Sequence, residues 1–394
     1  MSRVCIAGVG MIPFAKPGQS DDWDVMAERA IRSALVDAGI GYEQIQQAYA
    51  GYVYADSTAG QSALYRVGVT GIPIINVNNN CSTGSAAVYL ARQIIESGAA
   101  DCVLAFGFEQ MVPGALGPVF NDRKRTLDHH LSSQERILGH DETAPPAAQQ
   151  FGGAGLDYQS RNGTADEVFG LISVKARRHA ANNPLALFRD PITLEAVMAS
   201  KHLYGPLTRL QACPPTCGAA AAVLVSPTFA AKHGIDSSVE ILGQAMTTDY
   251  AETFTGASMM SVVGYEMSQE AARQVYEQAG VGPDDIQAIE LHDCFTANEL
   301  ITYEALGLCA EGEAERYIRD EQNTYGGRHV TNPSGGLLSK GHPLGATGLA
   351  QIYELTQQLR GNADRRQVEG VRFALQHNLG LGGACVVTLL GKEA

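Results

Sequence analysis

Three short patterns recur in the same order in the two halves of the chain, and they constrain its fold more tightly than any other feature. Ala38-Gly39-Ile40-Gly41-Tyr42-Glu43-Gln44-Ile45-Gln46 is echoed by Ala279-Gly280-Val281-Gly282-Pro283-Asp284-Asp285-Ile286-Gln287. Cys81-x-x-Gly84, leading into helical spacing, is matched by His342-x-x-Gly345 leading into residues 346–359. Gly218-Ala219 with its apolar run parallels Gly383-Ala384 and residues 385–390. Helix–glycine–strand units are common singly, but three in order point to a duplicated half. Residues 1–235 then form one half and 236–394 the other. The first bears an insertion, 111–217, where the second has only a short hairpin around Gly380. On this reading Cys81 and His342 occupy equivalent positions, each at the mouth of a helix, and a pseudo-two-fold arrangement turns them face to face.

Between the repeats the chain alternates. Residues 4–9, 48–54, 72–77 and 102–106 are apolar strands, and 26–38 is an amphipathic helix closed by Gly39. Strands alternating with helices predict an α/β layered fold. The stretch 111–217 is richer in polar and turn residues and reads as a lid over a site. The apolar strand 218–225 follows it, and from Val239 the pattern begins again.

Composition excludes several partners. Net charge is −14, which argues against nucleic acid or an anionic membrane surface. A polyanionic small ligand would need a local basic patch; Lys175, Arg177 and Arg178 offer one, unless they are a solvated helix face. The 8 cysteines are scattered, with no secretory leader, so reduced thiols and a cytoplasmic location are expected. Cys213 and Cys217 lack a second ligand pair, so no metal is expected. No apolar run approaches the roughly 20 residues of a membrane span, and the C-terminus is not a peroxisomal address.

Four stretches carry chemistry. In Asn78-Asn79-Asn80-Cys81-Ser82-Thr83-Gly84-Ser85, Cys81 falls between a strand and a helix. Unpaired N–H groups and the helix dipole there predict a lowered thiol pKa. Alone, Cys81 reads most simply as a small buried residue. His292-Asp293-Cys294-Phe295 places three protic side chains at a strand end, where α/β sites gather. Alone, His292 reads as a structural histidine. Asn332-Pro333-Ser334-Gly335-Gly336 and Lys340-Gly341-His342-Pro343-Leu344-Gly345-Ala346-Thr347-Gly348 are dense in glycine, without the order of a phosphate loop. Gln376-His377-Asn378-Leu379-Gly380-Leu381-Gly382-Gly383 is a glycine hairpin whose N–H groups suit an oxyanion hole.

These four motifs, in this order, resemble those of a thiolase, and specifically one of the sterol carrier protein X type. His-Asp-Cys-Phe stands where ordinary thiolases have Asn-Glu-Ala-Phe, and Gly380 stands where they have the cysteine of a C-terminal Cys-x-Gly. The resemblance covers essentially the whole chain. It implies the thiolase fold, two duplicated βα halves in α-β-α-β-α layers. It implies that Cys81 is the acyl-accepting nucleophile, that His342 activates it and then the thiol of coenzyme A, and that Cys294 is the acid/base at the α-carbon. His292 and His342 would hold the enolate oxygen, and the N–H groups of Cys81 and Gly382 a second oxyanion hole. Cys385 reads as a strand core residue. Ser334, Lys175, Arg177 and Arg178 are the candidates for holding coenzyme A, a co-substrate rather than a resident cofactor. A homodimer paired across the sheet edge of the first half is implied, with acyl-CoA substrates. The fused sterol-carrier domain of animal relatives is not expected, because the chain stops after the thiolase part.

The expected reaction is cleavage of a 3-oxoacyl-CoA by coenzyme A, giving acetyl-CoA or propanoyl-CoA, or the reverse condensation. The residue types suit it: an oxyanion hole and an acid serve the enolate, and a sulfur nucleophile keeps the thioester for transfer. Rival readings are a thiolase-like retro-aldol lyase on steroid side chains, a decarboxylating ketoacyl synthase using Cys81, His292 and His342, and a non-catalytic acyl-CoA-binding subunit.

Overall fold

The computed structural model describes residues 3–392 apart from 115, 116 and 119. Twelve strands are present among them: β1 (Cys5–Met11), β2 (Gln47–Gly51), β3 (Ile74–Val77), β4 (Cys102–Glu109), β5 (His202–Tyr204), β6 (Leu207–Thr208), β7 (Gly218–Val225), β8 (Val239–Thr247), β9 (Ala288–Glu290), β10 (Val330–Thr331), β11 (Phe373–Gly380) and β12 (Ala384–Lys392). Ten of these run in the order β10-β9-β11-β12-β8-β1-β7-β4-β2-β3, with β5 and β6 as a separate hairpin. The order reads the same from both ends. β3, β2 and β4 are parallel, and β7 and β1 are each antiparallel to the strand before them. β10, β9 and β11 repeat that parallel set, followed by antiparallel β12 and β8. A short antiparallel contact, Cys5 opposite Glu240, joins the halves at the centre.

Three buried clusters give the layers. Ala27, Ile31 and Ala34 of helix Trp23–Ala38 pack on one face of the first-half strands β1, β2, β4 and β7. On the other face lie helices Thr83–Glu96 and Thr347–Arg360, sandwiched between the two sets of strands through Val88, Ala91, Leu349 and Ile352. Helices Tyr265–Ala279 and Thr296–Ala305 cover the outer face of the second set. This is the expected α-β-α-β-α arrangement. β7 reads Gly-Ala-Ala-Ala-Ala-Val-Leu-Val because helices press on both its faces, and only small side chains leave them room.

The repeat corrects one register. Gly39 and Gly280 close equivalent helices in the left-handed conformation, at φ 68° and 66°, as their matching contexts suggest. The central helices, however, both begin Thr-Gly, at Thr83 and Thr347, and both run 14 residues. Helix register therefore equates Cys81 with Gly345, and His342 lies three residues further back. The Cys-x-x-Gly and His-x-x-Gly match mistook one glycine for another. A Cβ on Gly84 would sit 3.2 Å from the Gly348 N, and one on Gly348 2.4 Å from the Ser85 N. The two helices touch backbone to backbone there, which only glycine permits.

The 111–217 stretch is more than a lid. Helices Asp128–Leu138, Pro146–Asn162 and Asp166–Ala180 bury Phe151, Tyr158 and Phe169 in the same cluster as the second half. Phe151 stacks on Phe295 at 5.0 Å. Among the described residues, no helix is long and apolar enough to cross a membrane.

Candidate active site

β3 ends at Val77, and the chain must turn within five residues to enter the helix at Thr83. Asn80 takes the strained step at φ 52°, a region that asparagine tolerates better than most residues. Its N–H donates to Asn78 Oδ1 at 3.0 Å, and its carboxamide donates to the Leu381 carbonyl, also at 3.0 Å. Thr83 Oγ1 receives the Asn79 N–H and donates to Asn80 O. Cys81 is thereby fixed on an elbow against the glycine hairpin that links β11 to β12. Gly380 sits so close that a Cβ there would lie 2.2 Å from Asn79 O.

His342 reaches the elbow from the second half through a cradle of glycines. The Gly345 carbonyl lies where Cβ atoms on Gly107 and Gly84 would be, 2.0 and 2.8 Å away. Glu109 fastens the same loop: its carboxylate accepts the N–H groups of Val53, Tyr54 and Gly345 at 3.0, 3.0 and 3.1 Å. β2 accordingly stops at Gly51 rather than running on to Tyr54. His292 follows β9. One donor atom each from Cys81, His292 and His342 lies within 4.8 Å of the other two, and all three residues are buried.

Hydrogen bonds set the two imidazoles in opposite roles. Thr347 Oγ1 donates to Pro343 O at 3.0 Å, so it must accept from His342 Nδ1–H at 2.7 Å. His342 Nε2 then keeps its lone pair, and it is buried with no partner among the described atoms. Asn378 Oδ1 accepts from Ser85 at 2.7 Å, which leaves its amide to donate to His292 Nδ1 at 3.0 Å. His292 Nε2 therefore carries the proton. One ring is built as a base, the other as a donor. The rings meet edge to face with centroids 5.1 Å apart. His377, between Ser268 at 2.9 Å and the His292 N–H at 3.4 Å, steadies the backbone beneath.

Burial dominates the electrostatics. The Cys81 thiol is pushed up to about 12, by desolvation first and by the Glu109 charge second. The dipole expectation of a lowered value is corrected: N–H groups of Cys81 and Leu381 do pull it down, but less than burial raises it. Burial holds His342 down at about 3 and His292 well below its usual value. The unliganded site is therefore a neutral thiol beside neutral imidazoles. Burial, then the neighbouring Cys213, Cys81 and Asp293, hold the Cys294 thiol well above its ordinary value, so it carries its proton. Asp293 is turned away, accepting the N–H groups of Leu337 and Leu338 at 2.7 and 3.3 Å. Gly382 lies in the hairpin at φ 99°, but the hairpin N–H recorded against Cys81 Sγ is that of its neighbour Leu381.

The residues expected to hold coenzyme A do not form a patch. Lys175 is buried, its ammonium paired with Glu299 and hydrogen-bonded to Thr331 at 2.7 Å. Ser334 is buried too, its hydroxyl donating to Glu290 at 2.7 Å beside the Lys340–Glu290 ion pair. Neither is free to meet a phosphate. Lys175 faces into the polar core because the Glu299 charge would otherwise be buried without a counter-ion, and Ser334 adds a hydrogen bond to a carboxylate that Lys340 already neutralises. Arg177 stacks on Phe188 at 4.4 Å, and Arg178 pairs with Glu321 at 3.1 Å on the surface. Sequence reasoning missed Glu109, and it gave no role to Thr347 and Asn378, which lie inside two of the quoted motifs and orient His342 and His292.

Comparison with known proteins fits this geometry. Residues 4–127 match the family described as Thiolase, N-terminal domain, and residues 250–392 match Thiolase C-terminal domain-like. Sterol carrier protein 2 of Oryctolagus cuniculus is 53% identical over 393 residues, covering 99% of this chain and 72% of that protein. Among solved structures, the Ltp2-ChsH2(DUF35) aldolase superposes with TM-score 0.83 at 26% identity, covering 99% of this chain and 98% of that one. Human mitochondrial 3-ketoacyl-CoA thiolase in complex with CoA superposes with TM-score 0.73 at 18% identity, covering 100% and 98%.

Proposed function

The chain belongs to the thiolase family, and from that premise we propose that it is a 3-oxoacyl-CoA thiolase working through an acyl group carried on Cys81. The observation that carries this reading is the convergence of a buried thiol, a base and a donor whose tautomers are fixed. His342 Nε2 takes the Cys81 proton as sulfur attacks the 3-oxo carbon. The thiolate forms during attack rather than before it, because burial disfavours a standing ion pair. The C2–C3 bond breaks, and the acetyl-CoA enolate oxygen is held by His292 Nε2–H and by the now protonated His342. Cys294 delivers its proton to the enolate carbon. The proton on His342 passes to the Cys294 thiolate. His342, neutral again, deprotonates coenzyme A, whose sulfur takes the acyl group from Cys81 as a thioester, and the proton returns from His342 to the Cys81 thiolate. Condensation is the same path reversed.

Coenzyme A enters as co-substrate, and its phosphates are held by surface cations other than Lys175. Pairing of two copies through β3 is part of the reading. β3 is the last strand of the sheet, and its Ile74, Ile75 and Val77 are only partly buried, the open edge that a second strand would cover.

The likeness to the aldolase favours a second reading, retro-aldol cleavage of a 3-hydroxyacyl-CoA. That reaction has no use for an acyl acceptor. The deciding experiment supplies 3-oxoacyl-CoA and 3-hydroxyacyl-CoA substrates of varied length and branching, each with and without coenzyme A. Coenzyme-A-dependent release of two acyl-CoA products supports thiolysis. Coenzyme-A-independent release of a carbonyl product from the 3-hydroxy substrate supports the aldolase.

A further inference from the structure

Cys213 stands across from Cys294. Ala212 and Phe295 form an antiparallel bridge, and the Cys213 N–H donates to Cys294 O at 2.8 Å. Register therefore sets Cys213 and Cys294 directly opposite one another. Opposed residues joined by a ladder hydrogen bond have Cα atoms about 5.5 Å apart and side chains on one face. A disulfide asks for about 4.4–6.8 Å. Both cysteines are free. Cys213 is partly exposed, while Cys294 and Cys81 are only 5% and 4% exposed. Cys213 is also the group whose charge weighs most on the Cys294 thiol, as close contact requires. Nothing in the acyl-transfer mechanism uses Cys213.

We propose that Cys213 and Cys294 form a reversible disulfide when the protein meets a hydroperoxide. Cys213 is the more exposed of the two, though burial, Cys81 and Asp293 hold its thiol above the ordinary value. It gives up its proton as its sulfur attacks the peroxide, whose O–O bond breaks, so that it becomes a sulfenic acid and the peroxide leaves as an alcohol or water. The Cys294 sulfur then displaces hydroxide from that sulfenic acid, losing its proton, so that one water is released and the S–S bond is formed. Two electrons pass from the two thiols to the peroxide. A dithiol reverses the change. The consequence rests on the thiolase reading: Cys294 loses the proton it would give the enolate, while Cys81 keeps its thiol. Oxidation in this pair stops carbon–carbon chemistry and spares acyl transfer.

The test treats the full chain with hydrogen peroxide, blocks the remaining thiols with N-ethylmaleimide, and maps the peptides. A cross-link between Cys213 and Cys294 that dithiothreitol removes is expected. Loss of C–C cleavage should follow the cross-linked fraction, with acylation of Cys81 by acetyl-CoA intact. Cys213→Ala and Cys213→Ser should each keep C–C cleavage through the same treatment. A Cys81–Cys294 cross-link in place of the expected one would overturn the proposal. So would cleavage lost without any cross-link, or variants as sensitive as the parent. If the Cys213–Cys294 cross-link forms in a protein that never transfers an acyl group, the disulfide stands and the thiolase reading falls.

Discussion

Glu109→Gln gives a prediction whose size follows from the structure. Glu109 is 1% exposed, and burial raises its carboxyl from 4.5 to about 7 against the pull of three N–H donors. The folded state thus binds this proton more tightly than the unfolded one. The stability it contributes is full below pH 4.5 and is lost as pH rises through about 7. At about 1.4 kcal/mol for each pH unit of difference, the loss is about 3 kcal/mol. Glutamine keeps the shape but cannot titrate. Its NH2 group also leaves at least one of the three N–H groups without an acceptor, a pH-independent cost of about 1–3 kcal/mol. Denaturant unfolding of both proteins would be followed between pH 4.5 and 8 through Trp23, the one tryptophan. It stacks on Phe108, beside Glu109, at 5.1 Å. Across that range the stability of the parent relative to the variant should fall by about 3 kcal/mol, enough to cancel or reverse the parent's advantage at low pH. Parallel pH profiles would refute the claim that burial controls this carboxyl.

Three further outcomes follow from the site. Cys294→Ala should leave acylation of Cys81 by acetyl-CoA intact and slow C–C cleavage about 100-fold or more, as for loss of a general acid; equal loss of both half-reactions, measured separately, would deny it that role. Thr347→Val frees the His342 tautomer, so acylation should slow by about tenfold or more at unchanged substrate affinity, and a KM effect alone would contradict the tautomer argument. Gly107→Ala places a Cβ 2.0 Å from Gly345 O, so it should cost about 1–3 kcal/mol by overpacking and lower activity by displacing His342; unchanged melting and turnover would show that the loop yields.

The fold was legible because duplication and strand–helix alternation are patterns in one dimension. Gly39 and Gly280 announced equivalent helix ends because a left-handed C-cap admits few residues. The register at Cys81 was misread: Gly84 and Gly348 are the equivalent pair, and the shared Thr-Gly that marks them becomes decisive only once both helices are seen to start there and cross. Cys81, His292, Cys294 and His342 could be picked out from their motifs, and the structure brings Cys81, His292 and His342 together. The thiol pKa could not, since its sign depends on desolvation by residues far apart in the chain. Lys175 misled for the same reason: a charged triplet on a helix looks exposed until Glu299 is found buried against it.

The central claim is that Cys81 carries the acyl group, and intact mass spectrometry reads it directly. Incubation with a 3-oxoacyl-CoA in the absence of coenzyme A, quenched in acid, should add one acyl group to the protein, on the peptide containing Cys81. Coenzyme A should discharge it, and Cys81→Ala should never acquire it. Substrate cleaved by Cys81→Ala at a rate within about tenfold of the parent, when loss of a nucleophile should cost several orders of magnitude, would contradict the account.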